Sequence, residues 1–146
     1  MSHVCEIQVE IKDLDALAAA AEKLGLELRR GQRTYRWWGK SVGDYPLPAG
    51  FTADELGKCE HALSVRNNPN AYEVGVVKRK DGKPGYVLLW DFYAGGQGLE
   101  DAVGKDASKL RQRYAAEVAI KNARRQGFRV TEQVGQDGKI KLVCRR

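Results

Sequence analysis

Four stretches of this chain hold residue types able to do chemistry. Arg29-Arg30-Gly31-Gln32-Arg33-Thr34-Tyr35-Arg36-Trp37-Trp38-Gly39-Lys40 carries five basic residues and no acid, interleaved with three aromatics. Such a surface suits nucleic acid, because guanidinium groups pair with phosphates while rings stack on bases. The same residues fit a strand in which Tyr35 and Trp37 share one face with Arg33, and Arg36 and Trp38 take the other. There the arginines would guard a sheet edge or meet a protein partner. Cys59-Glu60-His61 offers a nucleophile and a base by residue type, although adjacent strand positions point to opposite faces. Asp91 sits in the apolar run Leu89-Trp90-Asp91-Phe92-Tyr93. A carboxylate there needs a hydrogen-bond partner or a raised pKa, and a strand-end carboxylate tied to backbone or arginine is the commoner outcome.

The fourth stretch, Gly95-Gly96-Gln97-Gly98, follows an apolar strand and precedes a helix, the usual setting of a phosphate loop. It lacks both G-x-x-x-x-G-K-[S/T] and G-x-G-x-x-G, so turn formation is its expected role and no cofactor is expected. His3 is the only histidine besides His61, and no Cys/His set has metal-ligand spacing, so no metal centre is expected. An enzyme or small-ligand binder built from Asp91, His61 and Cys59 near the glycine loop would need one pocket joining them. With no coherent catalytic set in the chain, a non-catalytic protein is the leading expectation.

Charge is concentrated late. Between Lys105 and Arg129, eight basic residues stand against Asp106 and Glu117, a surplus equal to the +6 of the whole chain. Lys109, Arg113, Lys121, Arg124 and Arg125 do not fall on one line at 3.6 residues per turn. They cover a broad helix face, which is either solvated cover or a phosphate-backbone contact without base readout.

These groups must be positioned by a fold of modest size. The 146 residues suit one domain, 42% apolar and 30% charged, with no run long enough to span a membrane. The N-terminus lacks a secretory layout, which places the protein in the cytoplasm. An odd cysteine count argues against a disulfide framework, and the alternation around Cys5 and Cys144 points both thiols to an apolar strand face.

Period-two alternation predicts a strand over Val4 to Ile11. Asp13 caps a helix whose stripe is Leu14, Leu17, Ala18, Ala21 and Leu24, and Gly25 stops it. Leu26 begins a strand running toward Trp38. Residues 39–58, punctuated by Gly43, Pro46, Pro48 and Gly50, read as an irregular surface excursion with at most a short helix near Ala53 to Leu56. A strand at His61 to Val65 follows, then a hairpin of Tyr72 to Lys80 and Tyr86 to Tyr93. Tyr86 to Trp90 is apolar on both faces and should be central. Asp106 caps the main helix, with Val103, Ala107, Leu110, Tyr114 and Val118 on its buried face. Gly127 ends it, and a hairpin turns at Asp137-Gly138. The expected class is α+β, a mainly antiparallel sheet with two helices packed on one face. A βαβ-type pseudo-duplication is suggested by Gly25-Leu26 and Gly127-Phe128, each following a helix.

Several segments are similar to one family. They are Met1-Ser2-His3, Ile11-Lys12-Asp13-Leu14, Leu110-Arg111-Gln112-Arg113-Tyr114-Ala115, Gln126-Gly127-Phe128-Arg129-Val130 and Asp137-Gly138-Lys139-Ile140-Lys141-Leu142-Val143. The chain resembles the hypothetical chloroplast reading frame thirty-five family, also called domain of unknown function twelve-fifty-seven, in a bacterial or phage form. The likeness covers both ends, with its most specific segments at the C-terminus. Its members often lie beside an AAA-type ATPase gene, which implies an accessory or adaptor role, and it supplies no catalytic residues.

The expectation is therefore a protein that binds another macromolecule, an ATPase-type protein or nucleic acid, through its basic surface. The candidate residues are Arg29, Arg30, Arg33, Tyr35, Arg36, Trp38, Lys40, Lys109, Arg113, Lys121, Arg124 and Arg125. A phage-encoded factor that sequesters or inhibits a host component is the third reading. Oligomeric state is open, since Lys139, Lys141, Arg145 and Arg146 would protect a terminal edge strand from casual pairing.

Overall fold

The computed structural model describes residues 3–41 and 43–146, so Met1 and Ser2 of the family-like opening lie outside the described residues. The element order is β1 (Val4–Ile11), α1 (Leu14–Lys23), β2 (Leu26–Arg30), β3 (His61–Val65), β4 (Val74–Lys78) and β5 (Tyr86–Asp91). Then come α2 (Leu99–Val103), α3 (Ser108–Arg125), β6 (Arg129–Val134) and β7 (Ile140–Arg145). The class is α+β, as the sequence predicts.

Five strands form one antiparallel sheet in the order β1-β5-β4-β3-β2. The doubly apolar strand β5 sits inside it, between β1 and β4, as expected. Ile7, Leu26, Leu63, Val76, Leu88 and Trp90 face Leu17 of α1, Leu99 and Val103 of α2, and Leu110 and Tyr114 of α3. The two long helices are the expected ones, and the five-residue α2 adds a third. The two helix-to-strand units end differently: β2 closes the main sheet, whereas β6 pairs only with β7 in a separate two-stranded ribbon.

Helix α1 starts where predicted, with Asp13 Oδ1 accepting from the Ala16 N–H at 3.0 Å. Helix α3 does not. Asp106 has φ 54°, makes no side-chain cap, and lies before a helix that begins at Ser108. A single side chain from α3 fixes the β1–α1 junction, because the Tyr114 hydroxyl accepts from the Lys12 and Asp13 N–H groups at 3.1 and 3.2 Å.

Strand β2 stops at Arg30 rather than running toward Trp38. Gly31 turns the chain at φ 81°, and the segment after it crosses the other face of the sheet. Residues 39–58 stay irregular and mostly exposed, with a short helical turn at Ala53–Glu55, while a few of their side chains and those flanking them form a second packing layer. Tyr35, Phe51, Leu56 and Cys59 bury against Val4, Ala62, Val77 and Leu89. A close approach holds it down: a Cβ on Gly75 would lie 2.3 Å from the Tyr35 ring, so only glycine in β4 lets that ring lie flat.

Candidate functional site

The structure sorts the predicted candidates by what each touches. In the first segment most polar groups are spent inside the fold. Arg29 Nε donates to Ser64 Oγ at 2.9 Å, Arg30 pairs with Asp15 at 2.8 Å, and Arg36 donates to the Ala71 carbonyl at 2.8 Å. Tyr35 is buried, and burial pushes its phenol up to about 12. It belongs to the second layer and presents no ring to a ligand. Arg33 and Lys40 are exposed, and Trp38 keeps 43% of its surface in solvent.

Asp91, His61 and Cys59 do not meet. Asp91 is fully buried at the end of β5, its Oδ1 accepting from His3 and Tyr93 N–H at 2.9 and 3.2 Å and its Oδ2 from Trp38 N–H at 3.2 Å. It lies on the Leu89 side of the sheet. His61 lies opposite, since its register partner Val76 packs under the helices. There His61 Nδ1 accepts from the Gly31 N–H at 2.9 Å. Burial, with Arg30 nearby, lowers the His61 pKa. Cys59 is in the second layer, donating from Sγ to the Gln32 carbonyl, and burial pushes its thiol up to about 12. Among the described residues, grooves of 220–380 Å³ flank β1, the β4–β5 turn and the α1–α3 seam, and none of these is lined by any of the three.

The glycine loop has a structural role. Ala94, Gly95, Gly96 and Gln97 are consecutively left-handed, a tight turn that reverses the chain from β5 into α2. The Gly96 carbonyl accepts from the Tyr72 N–H at 2.9 Å.

Helix α3 divides its cations in two. Near its middle, Arg113 pairs with Glu117 and Glu132, and Lys121 pairs with Asp13 at 2.8 Å. Lys109 and Arg111 donate to the carbonyls of Asp101 and Asp106. The buried Glu117 also accepts from Lys23 at 2.9 Å, so α3 is pinned to α1 by charge as well as packing. Toward the C-terminus this changes. Among the described residues, no carboxylate lies within ion-pair distance of Arg124, Arg125, Arg129, Lys139, Lys141 or Arg145, and all six are exposed.

The ribbon carries most of that unpaired charge, and its four cations were not among the predicted candidates. Glu132 reaches Arg113 of α3, so the side of β6 bearing Val130 and Glu132 faces the helix. Alternation then turns Arg129, Thr131 and Gln133 outward, opposite Arg145, Val143 and Lys141 of β7. The sequence held the signal in that alternation. Cys144 falls at the open end of the inner side and is exposed, not buried as expected.

A second exposed patch is aromatic. His3 stacks on Tyr45 with centroids 4.8 Å apart and meets Tyr93 edge-on at 4.9 Å, while Tyr45 and Tyr93 remain well exposed. His3 Nε2 also lies 3.2 Å from Asp44 Oδ2.

Together these features define an α+β protein in which Tyr35, Cys59, His61 and Asp91 make contacts within the fold, and a basic end and an aromatic patch are exposed. The chain belongs to the family described as Protein of unknown function (DUF1257), whose model matches residues 49–143, well over half of it. The match begins inside the excursion and ends in β7, so it leaves out β1, α1 and β2, and with them the similar segment Ile11-Lys12-Asp13-Leu14. No curated protein and no solved structure matches the chain. Among the described residues, no helix is long and apolar enough to cross a membrane.

Proposed function

We propose that this chain is a non-catalytic accessory protein that holds nucleic acid against the C-terminal end of α3 and the β6–β7 ribbon. The observation that supports this reading is the uneven pairing of charge. Lys23, Arg30, Arg113 and Lys121 are each matched by a carboxylate, whereas Arg124, Arg125, Arg129, Lys141 and Arg145 are exposed and unmatched among the described residues. Unmatched cations clustered at one end favour a polyanion, because each phosphate they neutralise releases a condensed counterion.

Fluorescence anisotropy with labelled DNA, at several salt concentrations, tests it. Arg124→Gln with Arg125→Gln should weaken binding and flatten its salt dependence, by a slope of about 0.9 for each phosphate no longer neutralised. Binding by this variant with unchanged affinity and slope would remove the helix end from the site.

A protein partner is the second reading, favoured by the exposed Trp38, Tyr45 and Tyr93, since aromatic groups are enriched at interface centres. An ATPase-type partner in the cytoplasm would suit an adaptor with one aromatic and one basic surface. Failure to bind any nucleic acid at low salt would put this reading first.

A further inference from the structure

We propose that β6–β7 is a groove-reading ribbon, whose outer face lies in the major groove of B-form DNA with Arg129 and Arg145 clamping phosphate at its base. The inference rests on the nucleic-acid reading above and names the form of nucleic acid and the residues that meet it.

The first argument is shape. The ribbon is separate from the main sheet and only two strands wide. Strands pair about 4.8 Å apart, so with side chains the ribbon is about 10 Å across, and six residues extend about 20 Å. A B-form major groove about 12 Å wide admits such a ribbon. An A-form RNA helix does not, because its major groove is deep and narrow.

The second argument is the composition of the outer face. Its register pairs are Arg129 with Arg145, Thr131 with Val143 and Gln133 with Lys141. No acid occurs among these six. Gln133 has the donor–acceptor pair that fits adenine, Lys141 suits guanine O6 and N7, and the methyl groups of Thr131 and Val143 suit the thymine methyl.

The third argument is electrostatic. Arg129 and Arg145 are direct cross-strand partners, both exposed and both without a carboxylate among the described residues. Like charges directly opposite one another destabilise a strand pair. An anion placed between the two guanidinium groups converts this repulsion into a bidentate clamp. Arg124 and Arg125 lie just across the Gly127 turn, where the Phe128 N–H donates to the Ala123 carbonyl at 3.0 Å, so they extend the same phosphate track.

The ribbon is also held ready. At its tip the Gln112 side chain donates to the Gly138 carbonyl at 3.0 Å and accepts from the Ile140 N–H at 3.2 Å. On its inner side Glu132 pairs with Arg113. The long helix thus presents the outer face at a fixed angle, and little ordering entropy remains to be lost on binding.

Dimethyl sulfate, which methylates guanine N7 in the major groove, supplies a test with the unaltered chain. On a mixed-sequence duplex of about 20 base pairs, a length chosen to exceed the ~20 Å ribbon severalfold, bound protein should protect N7 positions. In anisotropy at low salt, Arg129→Gln with Arg145→Gln should weaken duplex binding ~10-fold or more, with the log–log salt slope falling by about 0.9, the share of the one clamped phosphate. Lys58→Gln with Lys83→Gln should leave binding unchanged, and duplex RNA of the same sequence should bind more weakly. Circular dichroism establishes that each variant is folded, and if the arginine variant is not, the N7 footprint decides alone. Duplex binding with every N7 unprotected, or wild-type affinity and slope in a folded arginine variant, overturns the ribbon while leaving the proposed function standing. Absence of binding to any nucleic acid at low salt overturns both.

Discussion

Asp91 is the residue whose sequence context most resembles that of a catalytic acid, and its surroundings give it another task. It is fully buried and accepts from three backbone N–H groups, those of His3, Trp38 and Tyr93. Those donors come from the start of β1, the second layer and the turn after β5, so one acceptor-only side chain ties three segments together. Asparagine would replace an acceptor with a donor facing a donor. Asp91→Asn should therefore destabilise by roughly 1–3 kcal/mol, the cost of a buried polar group left unpaired. Urea denaturation monitored by tryptophan fluorescence measures it, and a midpoint equal to wild type would show that the three hydrogen bonds contribute nothing. Cys5 and Cys59 are equally structural, since burial pushes the Cys5 thiol up to about 11 and the Cys59 thiol to about 12, away from nucleophilic reactivity.

At the scale of elements, alternation makes β1 and the closing hairpin legible, because each has one side it must hide, and β3 and β5 are legible as short apolar runs between turn signals. The strand order is not legible, since alternation states which side is buried and says nothing of the neighbour. Residues 39–58 read as a surface excursion because proline and glycine remove any period. What packs there depends on long-range matches of the segment just before them, such as Tyr35 over Gly75 and Trp37 against Gly57, each too close for a Cβ. The fate of the arginines is hidden for the same reason, as Lys121 finds Asp13 across most of the chain. The β2–β3 edge supplies a pH prediction. His61 Nδ1 accepts from the Gly31 N–H just after β2, which requires a neutral ring, and its pKa is lowered in the fold. A lowered folded pKa means that the stabilisation is complete above the unfolded value of about 6.5. It is lost as pH falls from there through the folded value. Thermal midpoints of wild type should fall across that window more steeply than those of His61→Gln, whose amide oxygen can still accept the bond without titrating. Parallel curves would place the acid sensitivity elsewhere.

For the whole molecule, the net charge of +6 is less informative than where carboxylates fail to meet cations. Residues 1–107 hold 14 basic against 16 acidic residues, whereas residues 108–146 hold 11 against 3, so the surplus forms a positive pole toward the end of α3 and the outer ribbon. Such a pole costs stability in the free protein, because Arg129 and Arg145 face each other at one register position. Stability and partner binding should therefore move in opposite directions when that pair is altered. Arg145→Glu turns the repulsion into a cross-strand ion pair, a change of about 0.2–1 kcal/mol in favour of folding. For a domain of this size that raises the thermal midpoint by up to about 2–4 °C. The same substitution inverts one arm of the clamp and should weaken duplex DNA binding beyond the Arg145→Gln variant, with the gap closing as salt screens the charge. Calorimetry and salt-titrated anisotropy on the two variants separate the effects. A midpoint that rises while binding falls assigns the exposed arginine pair to a partner. A glutamate variant that is more stable and binds equally well would make the pair an ordinary solvated surface.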